Sequence, residues 1–291
     1  LPYPVGWVCI LVIGRCSLHP MKIIPPPTPE ATAYPPLVAH ALNANSLMFV
    51  VEVIVWAAVW RIASRIIFKS NAFLLTLHAA TPKQANKAKF EKNVAALVHA
   101  TFATLTAVYY LPWLSQWDVA EKYNCGDFWH TWHQVIPASF SGYIVQDLYE
   151  DISLARVGLV PLPVDMVIHH ILFLAVVALQ LVYEKGCFVY FWLILTEGST
   201  IPLLIRWFAI ASEAVPSVID RLNMAFALSF FVLRVGLYGY FLYEFVADDL
   251  HVFRSPYLLT SYQIIPVLLV GGYLLNLVWF QQLIARAFAK R

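Results

Sequence analysis

His169 and His170 stand side by side inside VDMVIHHILFLAVVALQLVY, an apolar run. Adjacent imidazoles near carboxylates are a residue set for nucleophilic or general acid–base catalysis. Three further ionisable groups sit in comparably apolar stretches: Asp147 in SFSGYIVQDLYE, Glu197 in CFVYFWLILTEGSTIPLLI and Arg234 in LNMAFALSFFVLRVGLYGYF. Charge in hydrocarbon is costly, so such groups face a protein interior or a water-filled cavity. Together they predict one polar site enclosed by helices. His169, His170, Asp147 and Glu197 are the catalytic candidates, and Arg234, Asn223 and Ser199 the substrate-binding ones. Two readings of the histidines stand at this point: hydrogen-bonded packing between helices, or chemistry.

Spacing refines the picture. Asp165 and His169 are four apart and share a helix face, so the carboxylate could fix the imidazole tautomer. His170 is rotated by about 100° from His169, so one looks into the bundle and the other toward a neighbouring helix. Glu197-Gly198-Ser199-Thr200-Ile201-Pro202 interrupts an apolar helix, and broken helices with polar residues line binding cavities. Along their helices His169 lies roughly 7 Å from the cytosolic end, Glu197 roughly 12 Å and Arg234 roughly 20 Å, at 1.5 Å per residue. Asn223 and Arg234, eleven apart, fall about 20° from one face of a regular helix.

The elements that must position these groups are membrane helices. The chain has 291 residues, 60% hydrophobic and 12% charged; a soluble domain carries about 25% charged residues. A net charge of +2 gives no reason to expect a nucleic-acid partner. The apolar runs are continuous and nearly twice the length of barrel strands. They predict seven spans, near 46–68, 92–113, 134–150, 164–183, 187–205, 221–245 and 258–284. Most of the Lys and Arg, among them Lys69, Lys83, Lys87, Arg206 and Arg286, fall on one side, which the positive-inside rule makes cytosolic. The N-terminus is then lumenal.

Half of the 18 prolines lie in residues 1–36, an extended Pro-rich arm that either leads to the first span or docks on a protein partner. The chain starts at Leu1, and the apolar run VGWVCILVIG near it is too short to span; it reads as a short embedded segment, in preference to the remains of a targeting sequence. The four cysteines, Cys9, Cys16, Cys125 and Cys187, all fall on the lumenal side, where Cys125 and Cys187 could pair or all could stay as thiols. His130, His133 and Asp127 have a metal-compatible spacing but read as interfacial residues, and no metal is expected. His99 is a lone span histidine, and Glu52 and Arg61 are expected to make helix–helix contacts.

These residues, in this order, resemble the TLC-domain family of multi-spanning membrane proteins, over about Lys89 to Arg286. The resemblance rests on Ser-Gly-Tyr143 with Asp147-Leu148, the His169-His170 pair, and Glu197-Gly-Ser-Thr-Ile-Pro with Arg206. Asn223, Phe230-Phe231 and Arg234 complete it. It implies an all-α integral membrane protein with seven transmembrane helices, six of them forming a TLC-type barrel and the first packed outside. The domain division is then 1–45 for the lumenal arm, 46–88 for the first helix and basic cytosolic loop, and 89–291 for the six-helix domain. It implies lipid handling, adds Tyr143 to the substrate-binding set, and favours the endoplasmic reticulum, with mitochondrial or plastid membranes as alternatives. The ceramide synthase branch transfers an acyl chain from acyl-CoA using the equivalent of His169-His170. This sequence lacks that branch's His-Asp and further Asp on span five, and is more similar to the smaller TLC-domain proteins.

Three functions follow as expectations. An acyltransferase would take acyl-CoA as co-substrate, with no bound cofactor, and pass the acyl group through a histidine. A lipid-binding or trafficking protein would hold a headgroup on Arg234. A non-catalytic structural subunit of a larger membrane complex is the third. Membrane lipids are the partners common to the first two.

Overall fold

Span five carries the sharpest local signal, and its interruption is real. The helix Cys187–Leu195 gives way to a 3-10 turn, Thr196–Ser199, before a second helix begins at Thr200. Thr196 Oγ1 donates to the Leu193 carbonyl at 2.7 Å and Ser199 Oγ to the Thr196 carbonyl at 2.9 Å, so hydroxyls satisfy groups that the break would orphan. Span six packs closely there: a Cβ at Gly198 would lie 2.9 Å from Leu233 Cδ1, which would have to shift.

The computed structural model describes residues 44–81, 83–114, 135–183, 187–249 and 264–288. All lie in one unit, Pro35–Arg291. In chain order the helices are α1 (Ala44–Ser70), α2 (Ala72–Ala80), α3 (Gln84–Leu114), α4 (Val135–Arg156) and α5 (Val164–Tyr183). They continue with α6 (Cys187–Leu195), α7 (Thr200–Ala211), α8 (Pro216–Phe230), α9 (Tyr238–Glu244) and α10 (Ile264–Phe288). Every regular element among the described residues is helical. The Pro-rich arm up to residue 43, Cys9, Cys16, Cys125, the Cys187 side chain and the His130, His133 and Asp127 set lie outside what is described.

The molecule is an all-α membrane protein. Among the described residues four helical stretches are long and apolar enough to cross a membrane: Asn86–Pro112, Phe188–Ala211, Pro216–Ala247 and Ile264–Arg286. Val164–Gln180 is a shorter apolar helix. Neighbour contacts run from α3 to α4, α5, α10, α9, α6 and back to α3, a closed ring with α1 outside against α3 and α4. The wall between α6 and α3 is dense with rings, including Tyr110 stacked on Phe191 at 4.8 Å.

α1 seats on α4 because α4 offers a small-residue face: Ala138, Ser139, Ser141 and Gly142 are all buried. Small residues let membrane helices approach closely. A Cβ at Gly142 would stand 2.6 Å from Trp56 Cβ and 2.8 Å from the Ala57 nitrogen. One turn away Trp60 Nε1 donates to the Ser139 carbonyl at 2.9 Å. Arg61 lies over the Tyr149 ring, 5.2 Å from its centroid, so it joins α1 to α4 as expected of a helix–helix contact. Gly142→Leu should therefore push α1 off its seat, costing about 1–3 kcal/mol as overpacking does. A lowered thermal midpoint in detergent checks it, with Gly271→Leu, whose Cβ meets open space, as the neutral control.

Span six departs from a regular helix. α8 passes into a π-helical segment, Phe231–Leu237, and a second π segment, Phe245–Asp249, follows α9. π-bulges in helices occur frequently at functional sites. Arg234 sits inside the first one.

Candidate functional site

The buried charges form two clusters rather than one. The first joins α3, α4 and α5. Lys92 Nζ lies 3.2 Å from Asp147 Oδ2 and 2.5 Å from Asp151 Oδ1. Asp147 also accepts from the Tyr143 hydroxyl at 3.2 Å and faces His170 Nε2 at 3.7 Å. Tyr143 in turn stacks on His99 at 3.7 Å and meets the Trp60 edge. The other ring nitrogen of His170 is buried with no hydrogen-bond partner among the described residues.

The second cluster joins the 3-10 turn, the π segment and α10. Arg234 Nη2 donates to Glu197 Oε1 at 3.0 Å and to Thr200 Oγ1 at 3.2 Å. Its Nε donates to Ser199 Oγ at 2.8 Å, and Nη1 reaches Asn276 Oδ1 at 3.5 Å. Thr200 Oγ1 donates to Glu197 Oε2 at 3.0 Å. Arg234 is buried and Glu197 mostly so, with side-chain exposures of 6% and 12%. The guanidinium fork and carboxylate thus satisfy one another, the condition under which a buried ion pair is tolerated.

The two histidines divide between these clusters, as their rotation about α5 requires. His170 turns to Asp147. His169 turns the other way and lines a cavity of about 20 Å³ together with Arg234, Thr196 and Asn276. Its remaining walls are mainly apolar, among them Leu172, Val176, Leu193, Leu268 and Leu269. That volume has room for about one water molecule. An amphiphile would need the walls to part.

Several expected residues are placed differently. Asp165 does not reach His169; it accepts from Trp279 Nε1 at 3.0 Å, and the Trp279 ring meets His169 edge-on at 5.3 Å. Asn223 accepts from Arg206 Nε between α7 and α8, away from Arg234. The eleven-residue step from Asn223 to Arg234 rises about 16 Å along a helix, so a shared face does not bring them to one ligand group. Lys92, Asp151, Asn276 and Trp279 are site residues that sequence reasoning missed. Asp151 was within reach, since it lies one helical turn from Asp147 on the same face. Nothing local marks Asn276 or Trp279, which matter only through α10 packing on α5 and on the π segment.

A helical membrane protein with a histidine pair between two buried ion clusters is the class these observations define. The chain belongs to the TLC-domain family: the family model described as TLC domain matches residues 89–285. That assigns it to the membrane lipid-related proteins. Neither the curated proteins nor the solved structures give a match.

Proposed function

We propose that this protein binds an acyl lipid in the His169–Arg234 cavity and transfers an acyl chain from acyl-CoA through His169. One observation carries the reading: a buried imidazole and a guanidinium line the polar part of a cavity whose other walls are apolar. An imidazole nitrogen of His169 attacks the thioester carbonyl carbon, and the CoA thiolate leaves and takes a proton. A lipid hydroxyl or amine then attacks the acyl-imidazole and restores the histidine. His170, facing the Asp147 carboxylate that Lys92 holds, sets the rotation of α5 that presents His169; it is a positioning residue. Glu197 and Ser199 hold Arg234 in place, and Tyr143 holds Asp147. The cytosolic lysines and arginines attract the CoA phosphates. The endoplasmic reticulum membrane is the compartment proposed, where acyl-CoA meets lipid acceptors.

His169→Ala is expected to abolish lipid product, a loss of about 100-fold or more, whereas His170→Asn should keep a fraction of it. Mass spectrometry of the purified protein incubated with acyl-CoA should find an acyl adduct on His169. Equal turnover in wild type and His169→Ala refutes the mechanism. A stoichiometric unmodified phospholipid with no adduct favours the second reading, a lipid-binding protein. That reading is supported by the apolar walls, among them Leu172, Val176 and Leu268, that continue from the His169–Arg234 end of the cavity.

A further inference from the structure

The cavity has a direction. On α5 its walls are His169, Leu172, Phe173 and Val176, spaced as one face of a helix. On α10 they are Leu268, Leu269, Gly272 and Asn276. The two helices pack on each other, so the cavity follows the seam between them. His169, Asn276 and the neighbouring Arg234 make one end polar, while Val176, Leu268 and Leu269 make the other apolar.

Continuing each stripe past its polar end leads to one more residue on each helix. One turn before His169 is Asp165, exposed. One turn beyond Asn276 is Trp279, half-buried. These two close on each other through the Trp279 Nε1 to Asp165 Oδ2 hydrogen bond of 3.0 Å, and Trp279 covers the edge of His169. The order from outside inward is therefore Asp165, Trp279, His169, cavity.

We propose that Trp279, latched by Asp165, is the closing residue of a mouth between α5 and α10, and that the seam behind it takes a single-chain amphiphile, tail inward and polar group at the His169–Asn276 end. This rests on the lipid-binding reading above and adds the route and the ligand class. From Asp165 to Val176 the seam is roughly 16 Å long, enough for one extended alkyl chain and too narrow for two side by side. A single exposed hydrogen bond is a suitable latch because its loss shifts the closed population only modestly. Leu172 and Phe173 must swing aside when a chain enters, since the closed cavity has room for about one water.

The test uses the full chain in nanodiscs and a long-chain fatty acid carrying a photoreactive diazirine at its terminal carbon. In wild type the label should map to peptides holding Val176 and Leu268. Trp279→Phe keeps the ring and removes the donor; it should raise the labelling rate about fivefold, the effect of losing one hydrogen bond. Asp165→Val should do the same, and the double variant should rise no further. Leu172→Trp, which fills the seam, should abolish the label there. Label on the outer faces of the helices, or rates unchanged in both latch variants, overturns the proposal. Should a variant fail to fold, the wild-type map still decides. Seam labelling absent while His169-dependent product persists sinks the mouth and leaves the transferase reading standing. Seam labelling present with no acyl adduct on His169 supports the mouth and sinks the transferase.

Discussion

Arg234→Met is expected to destabilise the protein by about 3–5 kcal/mol, the range for breaking a buried ion pair by removing one partner. The variant leaves Glu197 buried with a single hydroxyl contact, from Thr200. Ser199 loses its donor from Arg234 at the same time. Glu197→Gln paired with Arg234→Met should recover much of the loss, because an amide and a thioether bury no uncompensated charge. Equilibrium unfolding in mixed micelles checks the pair of variants. If Arg234→Met alone costs under about 1 kcal/mol, the guanidinium is solvated by water that enters the cavity, and the buried pair described above is wrong.

Lys92→Met should cost a similar amount, about 3–5 kcal/mol, for a different reason. It leaves Asp147 and Asp151, with side-chain exposures of 6% and 3%, one turn apart without their shared cation. His170 faces Asp147 and makes no contact with Asp151 that could replace the lysine. Asp151→Asn in the Lys92→Met background should restore part of the stability, and the gain should exceed that of Asp151→Asn alone. A double-mutant cycle measured by thermal unfolding reads this coupling. Additive effects would show that Lys92 does not bind the two carboxylates together. On the transferase proposed above, the same variants should lower the rate, since Lys92 holds the Asp147 carboxylate that faces His170.

Much of the architecture was readable in advance. The helix α5 begins and ends where the apolar run does, and the Glu-Gly-Ser-Thr-Ile-Pro interruption marks the 3-10 turn. The separation of His169 from His170 followed from 100° per residue. The π segment at Phe231–Leu237 was not readable. It costs local hydrogen-bond geometry and is repaid by contacts across helices: Arg234 with Glu197 and Ser199, and Tyr238 donating to the Leu269 carbonyl at 2.8 Å. Such contacts are between residues far apart in the chain, so no window of sequence contains them.

The expectation of one convergent polar site illustrates the same limit. The residues bearing buried charge were identifiable one by one, because a charge in an apolar run is anomalous wherever it stands. Their partners were not. Lys92 opens the predicted second span with nothing nearby to mark a partner, yet its side chain is 13% exposed and bridges two aspartates of α4. Asp165 read as a partner of His169 by its four-residue spacing, yet Trp279 of α10 takes it.

By itself, the sequence determined that this chain is a bundle of membrane helices of the TLC type and which ionisable groups lie within it. Hydropathy and helical periodicity are local quantities and suffice for the membrane helices and their ionisable groups, while the order of the motifs carries the TLC resemblance. Only the tertiary structure decided how those groups sort into two ion clusters with His169 and His170 turned to different sides. Pairing in a low-dielectric interior depends on distances of about 3 Å between side chains of different helices, and the order in which helices neighbour one another sets those distances.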